Sequence, residues 1–88
     1  MFRIESKPES TGLVRLMLAG RMHANSLGEI RRAIDRARRY RGRRVALDLS
    51  EITLADRASV DFLVQQRNEE IELINCPLYL QPWIEGER

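Results

Sequence analysis

The sequence is poor in the residues that metal and redox chemistry require. It contains one cysteine, Cys76, and one histidine, His23, so it offers no intramolecular disulfide and no set of soft ligands for a structural zinc. No apolar stretch approaches the roughly 20 residues of a membrane-spanning helix. Residues 1–5 also lack the apolar core of a signal peptide. We therefore expect a cytoplasmic protein without membrane insertion.

Enzyme chemistry is also without visible support. The sequence shows no paired nucleophile and base, no phosphate-binding loop and no metal-ligand set. His23 has no titratable partner nearby in the sequence, so we expect it to be a surface or capping residue. Cys76 is expected to be a small packed hydrophobe. We predict no catalytic residues, no metal and no cofactor.

What is present is typical of a globular domain. The 88 residues are 43% hydrophobic and 32% charged, which predicts one folded domain spanning residues 1–88. The net charge of +2 hides a division, because residues 1–44 carry twelve Lys/Arg against four Asp/Glu and residues 45–88 carry three against nine. This asymmetry suggests a charged partner or self-association as a homodimer.

Four apolar segments have the composition of strands. They are residues 2–5, 13–19, 45–49 and 71–74. The turn formers at 8–12 predict a short edge strand followed by a turn. The second segment is apolar on both faces, which predicts a central strand, and Gly20 is expected to end it. Asp48 is the one charge in the third segment, and we expect it to brace a loop by accepting backbone N–H groups.

The first predicted helix has one apolar and one basic face. Ser26 and Glu29 have the spacing of a capping box, and Gly42 is expected to end the helix. Its apolar stripe comprises Leu27, Ile30, Ala33, Ile34 and Ala37. The basic residues on and after it are Arg31, Arg32, Arg36, Arg38, Arg39, Arg41, Arg43 and Arg44. Because no aromatic or amide side chains are interleaved to read bases, a solvated face is favoured over nucleic-acid binding, and an acidic protein partner stays open.

Two further helices are predicted. After a connector at residues 50–55, Asp56 can cap a second helix with Val60, Leu63 and Val64 facing inward. A short closing helix is expected between residues 77 and 84, with Pro82 interrupting its hydrogen bonds. Strands and helices in this order predict an α/β fold, with a mixed sheet and helices packed on it.

Three quoted stretches carry a family resemblance. They are LVRLMLAGRMHANSLGEI at residues 13–30, VALDLSEITLADRASVDFL at 45–63, and IELINCPLYLQPWI at 71–84. They resemble the STAS domain family, which includes the bacterial anti-sigma-factor antagonists and the cytoplasmic domains of sulfate transporters. The resemblance covers nearly the whole chain and implies a STAS-like fold with a mixed β-sheet of about four strands. Its distinctive part is the start of the second helix, where the family has Asp-Ser-Ser-Gly.

The resemblance places a phosphorylation switch at that helix start. In the antagonists, a serine there is phosphorylated by a partner kinase that is also the anti-sigma factor, and phosphate adds about −1.5 to −2 charge. The family aspartate falls on Asp56, the phosphorylatable serine on Arg57, the second serine on Ala58 and the glycine on Ser59. A frequently acidic loop position falls on His23. Because Arg57 cannot accept phosphate, constitutive binding is predicted, and Ser59 is left as the candidate phosphosite.

The predicted function is therefore a non-catalytic protein-interaction module. Its partner-binding residues would be Met22, His23, Ala24, Asn25, Asp56, Arg57, Ala58 and Ser59. The implied partner is an anti-sigma factor or a kinase-type regulator, and an adaptor role on a transporter ATPase is the alternative. Arg57 places a cation at the positive end of a helix, which costs ~0.3–1 kcal/mol unless an anion, such as one from a partner, offsets it.

Overall fold

A computed structural model describes residues 1–10, 12–39 and 44–86. These residues form strands β1 (Phe2–Ser10), β2 (Leu13–Met22), β3 (Arg44–Ala55) and β4 (Glu72–Ile74), and helices α1 (Leu27–Arg39), α2 (Arg57–Asn68) and α3 (Gln81–Glu85). A short 3-10 helix, Ala24–Ser26, precedes α1. The order of strands and helices confirms the predicted α/β architecture. Within the described residues, every helix is too short or too polar to cross a membrane.

The four strands form one mixed sheet in the order β1-β2-β3-β4. β1 pairs antiparallel with β2, whereas β2 with β3 and β3 with β4 pair in parallel. The prediction that the segment at residues 13–19 is central is therefore confirmed. The parallel pairing of β2 and β3 brings the carboxyl ends of both strands to the same end of the sheet.

One hydrophobic core lies between the sheet and the helices. The register sets Leu16 beside Leu47, so that alternate residues of β2 and β3 face the same way. The helices cover this face with Ile30, Ile34, Val60, Leu63 and Ile84, all of which are buried. The predicted apolar stripe of α1 packs as expected, with Leu27, Ala33 and Ala37 at its margin.

Three strands are longer than predicted, whereas β4 is one residue shorter, because Ile71 precedes it. β1 continues through Pro8, which an edge strand tolerates because one side of its backbone has no partner. Gly20 does not end β2, which runs on to Met22. The predicted connector at 50–55 is instead the second half of β3. The last two extensions stabilise each other, since the parallel pairing of β2 with β3 continues as far as Met22 and Ala55.

The helix starts also differ from the predictions. Ser26 lies in the 3-10 helix, where its hydroxyl accepts a hydrogen bond from the His23 N–H at 3.4 Å. The 3-10 turn therefore leads into α1, and the predicted capping box between Ser26 and Glu29 is replaced by this contact. Pro82 does not interrupt α3, because it lies in the first turn, where a missing N–H costs nothing. The predicted end of the first helix at Gly42 lies outside the described residues.

We predict that Gly20→Ala destabilises the fold while Gly28→Ala stabilises it. Gly20 has a φ of +104°, and a β-carbon there would collide with the Met1 carbonyl at the start of β1. The strain should lower the free energy of unfolding by about 1–3 kcal/mol. Gly28 is the matched control, because it is helical and its β-carbon would only contact the Arg32 guanidinium at 3.6 Å. It should gain about 0.5–1 kcal/mol.

Urea unfolding of both variants, followed by circular dichroism, checks this pair. Equal effects of the two alanines would contradict the assigned conformation of Gly20.

Candidate docking site

α2 begins immediately after β3, and Asp56 is the residue between them. Its backbone is extended, and its carboxylate oxygen Oδ1 accepts from the Ser59 N–H at 2.8 Å. This bond satisfies one of the N–H groups that a helix leaves unpaired at its first turn. The prediction that Asp56 caps the second helix is confirmed.

Asp56 also binds the loop that follows β2. Its other oxygen, Oδ2, accepts from the Ala24 N–H at 3.1 Å, and its own N–H donates to the Met22 carbonyl at 3.2 Å. The two halves of the predicted site, which lie some thirty positions apart in sequence, are thereby brought together. The hydrogen bonds from Ser59 and Ala24 hold the pKa of Asp56 below its usual value.

The predicted site residues divide into exposed and buried groups. Six are exposed and form what we call the docking surface: His23, Ala24, Asn25, Asp56, Arg57 and Ala58. Met22 and Ser59 are each 0% exposed, so their side chains do not belong to this surface. Phosphorylation of Ser59 would require the first turn of α2 to open, which corrects its selection as a candidate phosphosite.

Arg57 has its counter-charge within the same helix. Its Nε lies 3.2 Å from Oδ1 of Asp61, one turn further along α2, and both side chains are exposed. A carboxylate in the opening turns of a helix is favoured by the helix dipole, whereas the guanidinium is not. Asp61 thus offsets the charge of Arg57 from within α2, and no anion from a partner is needed for this.

An apolar groove adjoins the docking surface. We call it the aromatic groove; its volume is about 290 Å³, and it is lined by Leu54, Ala55, Asp56, Arg57, Val60, Tyr79, Leu80 and Trp83. Leu54 is 52% exposed, Tyr79 47% and Trp83 56%, which is unusual for large apolar side chains. The Tyr79 hydroxyl donates to the Ile52 carbonyl at 2.5 Å and fixes its ring against β3.

Sequence reasoning missed the aromatic groove. The local pattern places Leu54 in a connector and Trp83 in a closing helix, which predicts no surface role for either residue. One feature of the sequence could have indicated the groove. Leu54 is an apolar residue close to Asp56, and neither the predicted strands nor the predicted helices bury it. Trp83 is brought beside it by the packing of α3 on α2, and Tyr79 by its hydrogen bond to β3.

Asp48 braces the sheet on the face away from the core. Only 1% of it is exposed, and its carboxylate accepts from the Ser50 N–H (3.0 Å), the Arg15 guanidinium (3.0 Å) and the Asn75 amide (3.2 Å). Arg15 also pairs with Glu9 at 3.0 Å. Burial alone would raise the pKa of Asp48, but the bonds from Ser50 and Asn75 and the Arg15 charge outweigh it and lower the pKa. The expected backbone bracing is present, and side chains from β2 and beyond β4 extend it.

The basic face of α1 is exposed and partly committed to packing. Arg32, Arg36, Arg38 and Arg39 are exposed. The guanidinium of Arg31 lies 5.3 Å from the centre of the Phe62 ring in α2, a cation–π distance. Arg41 and Arg43 lie outside the described residues. This face is continuous enough to attract anions but contains no aromatic residue of its own.

The described residues hold no group of three or more His, Cys, Asp or Glu side chains arranged to bind a metal ion. Burial raises the pKa of the half-buried Cys76 thiol, with Glu85 adding to the effect. The protonated form is therefore favoured, which lowers the reactivity of this thiol.

Comparison with known proteins supports the fold. No protein-family model and no curated protein matches the sequence. Ten chains of solved structures match, among them the anti-sigma factor antagonist SpoIIAA in its unphosphorylated form. That structure is 13% identical and superimposes with a TM-score of 0.73 over 94% of this chain and 82% of the SpoIIAA chain. The chain has a STAS-like α/β fold, as the resemblance implied.

We predict that Asp56→Ala costs more than Asp56→Ser. Alanine removes both the cap on Ser59, worth about 0.5–2 kcal/mol, and the bond to Ala24. Serine keeps a capping oxygen but is too short to hold both donors. Urea unfolding should therefore show a larger loss for alanine, while hydrogen exchange at the Ala24 amide should accelerate in both variants. An unchanged Ala24 amide in either variant would contradict the link between the two segments.

We predict that Asp48→Asn lowers stability near neutral pH and flattens its decline in acid. A depressed pKa means that the carboxylate contributes its full stabilisation above its usual pKa of about 3.9 and loses it as the pH falls through the folded-state value. Losing the charged acceptor should cost about 1.5–3 kcal/mol at neutral pH. The difference between wild type and variant should shrink below about pH 4. Urea unfolding across this range measures it, and parallel curves would contradict the prediction.

Proposed function

We propose that this chain is a non-catalytic interaction module that binds a regulatory protein, an anti-sigma factor or a kinase-type regulator, in the cytoplasm. The observation that carries the proposal is an exposed aromatic groove directly beside a helix start that Asp56 holds in a fixed position. The fold shared with an anti-sigma factor antagonist supports the choice of partner class. Binding would use the docking surface together with the groove.

The groove has the chemistry of an interface core. Exposed Trp and Tyr side chains are the residues that most often dominate binding energy when a partner covers them. Trp83 and Tyr79 stand on one wall, and Leu54 provides an aliphatic side chain from β3. The charged pair of Arg57 and Asp61 lies at the margin, where it would set orientation more than affinity.

The same surface supports constitutive binding. Arg57 occupies the position of the phosphorylatable serine in the resembling family, and the neighbouring Ala58 has no hydroxyl group. The Ser59 hydroxyl is buried beneath the turn. A kinase-type partner would thus find no accessible serine in the docking surface, and binding would not be gated by phosphate at this place.

We expect a photo-crosslinking amino acid at Ala58 to capture an anti-sigma factor or kinase-type regulator in the native host. The same amino acid at Glu72, on the exposed edge strand β4, should not capture it. With the purified partner, Trp83→Ala should weaken binding about tenfold or more, because a large aromatic side chain is lost from the centre of the interface. Leu78→Ala is the matched control, since Leu78 is exposed but does not line the groove.

Several outcomes would change this proposal. Equal affinity of Trp83→Ala and wild type would remove the groove from the interface. Phosphate found on the intact protein by mass spectrometry, after incubation with the partner and ATP, would refute constitutive binding. Capture of a transporter ATPase would favour the adaptor alternative. Retention on heparin that is lost when Arg32 and Arg36 become Glu would favour the basic face of α1 as a nucleic-acid site.

A further inference from the structure

Within the part of the chain that the structure describes, β1 has a hydrogen-bonding partner on one side only. It lies at the edge of the sheet, and its nine residues pair with β2 alone. The outer side of such a strand offers N–H and C=O groups that can pair with another strand. A proline in an edge strand has its nitrogen on the side that faces no partner strand. The nitrogen of Pro8 therefore faces away from β2. Since backbone direction alternates along a strand, the backbone groups of the other even-numbered residues face away from β2 as well.

The odd-numbered residues of β1 alternate in charge. Arg3, Glu5, Lys7 and Glu9 read plus, minus, plus, minus along one face of the strand. Lys7 lies directly opposite Arg15 of β2, a like-charge pair that is unfavourable. Glu9 pairs with Arg15, but among the described residues Arg3, Glu5 and Lys7 form no ion pair. Three charges of this face are thus available for a partner.

We propose that β1 pairs antiparallel with β1 of a second copy of this chain, about a two-fold axis at Ser6. In this register, Glu5 lies opposite Lys7 of the second copy. Arg3 comes near Glu9 of the second copy, which lies in a bulge of β1 and already pairs with Arg15. The symmetry repeats the Glu5–Lys7 contact, so two pairs of opposite charge form across the axis. The two four-stranded sheets become one continuous sheet of eight strands.

Backbone orientation and charge together select this register. Because the outward-facing backbone groups belong to the even-numbered residues, even-numbered residues must lie opposite each other, which places the axis at a residue and not between two residues. Charge then disfavours the odd-numbered axes on either side of Ser6. Moving the axis to residue 5 sets Glu5 against its own copy and Arg3 against Lys7. Moving it to residue 7 sets Lys7 against its own copy and Glu5 against Glu9. In both shifted registers, every pair formed among the four charged residues sets like charges opposite each other. Like charges in opposite positions destabilise a sheet.

Axes at residues 4 and 8 also set opposite charges against each other, but each forms only one kind of charged pair and leaves much of the strand unpaired. The axis at Ser6 pairs β1 along its whole length.

The opposite face of β1 adds an apolar contact. Ile4 lies beside a groove of about 430 Å³ between β1, β2 and α1, whose apolar lining comes from Ile4, Val14, Leu16, Ala33 and Ala37. In the proposed register, Pro8 of the second copy lies opposite Ile4 on this face, beside the mouth of the groove. Pairing would therefore remove apolar surface from water at the same place where the charges meet.

The expected dimer is reversible. Pro8 cannot donate to the C=O of Ile4 in the second copy, so two of the ladder bonds are missing. One pair of short strands also buries an area at the low end of stable interfaces. The exposed charge pairs should therefore control association, which is expected to weaken as salt screens them.

Sedimentation equilibrium at low ionic strength, at concentrations up to about 1 mM, tests the proposal. Wild type should form a dimer, and Lys7→Glu and Glu5→Lys should each raise its dissociation constant about tenfold or more, because attraction becomes repulsion at two symmetric pairs. An equimolar mixture of the two variants should regain dimers, since positions 5 and 7 are both acidic in one variant and both basic in the other. Regained association also shows that both variants are folded.

Glu72→Lys is the matched control, because it changes the net charge as Glu5→Lys does but lies on β4 at the opposite edge. It should leave the dimer unchanged. A wild type that stays monomeric over the whole range would overturn the proposal. A dimer that ignores both β1 reversals, or a mixture of the two variants that stays monomeric, would overturn it as well.

Discussion

The carboxylate of Asp56 is the contact on which the docking surface depends. It receives N–H groups from Ser59 in α2 and from Ala24 in the loop after β2, while its own N–H donates to Met22. Two segments separated in sequence therefore form one rigid surface. A helix start held at both oxygens of one side chain has little freedom to move, and a surface that is already ordered loses less entropy when a partner binds.

Asp48 has a comparable role inside the sheet. A carboxylate that is almost fully buried is costly unless donors surround it, and here a backbone N–H, a guanidinium and an amide do so. These donors come from three different parts of the chain, so the charge fixes how β2, β3 and the end of β4 meet. Specific pairing of this kind favours one register, because any slip of a strand would leave the carboxylate without partners.

The two proposed interaction surfaces use different physical chemistry. The aromatic groove offers Tyr79 and Trp83, which suit a partner that buries apolar area. The edge of β1 offers alternating charges and open backbone groups, which suit a strand of the same sequence. None of the residues in the groove or the docking surface belongs to β1, so binding of a regulator and self-pairing rely on separate side chains.

The sequence by itself determined the order of strands and helices, the central position of β2 and the cap at Asp56. These depend on short-range periodicity and on the chemistry of one capping side chain, which a linear pattern records. Tertiary structure decided the length of β3 and the burial of Ser59, whereas the pairing of Arg57 with Asp61 follows from the spacing of four residues in one helix. It also decided that Tyr79 and Trp83 stand beside Leu54. The physical reason is that pairing between β2 and β3 overrides local turn preference, and that exposure depends on which elements pack together, which no single segment encodes.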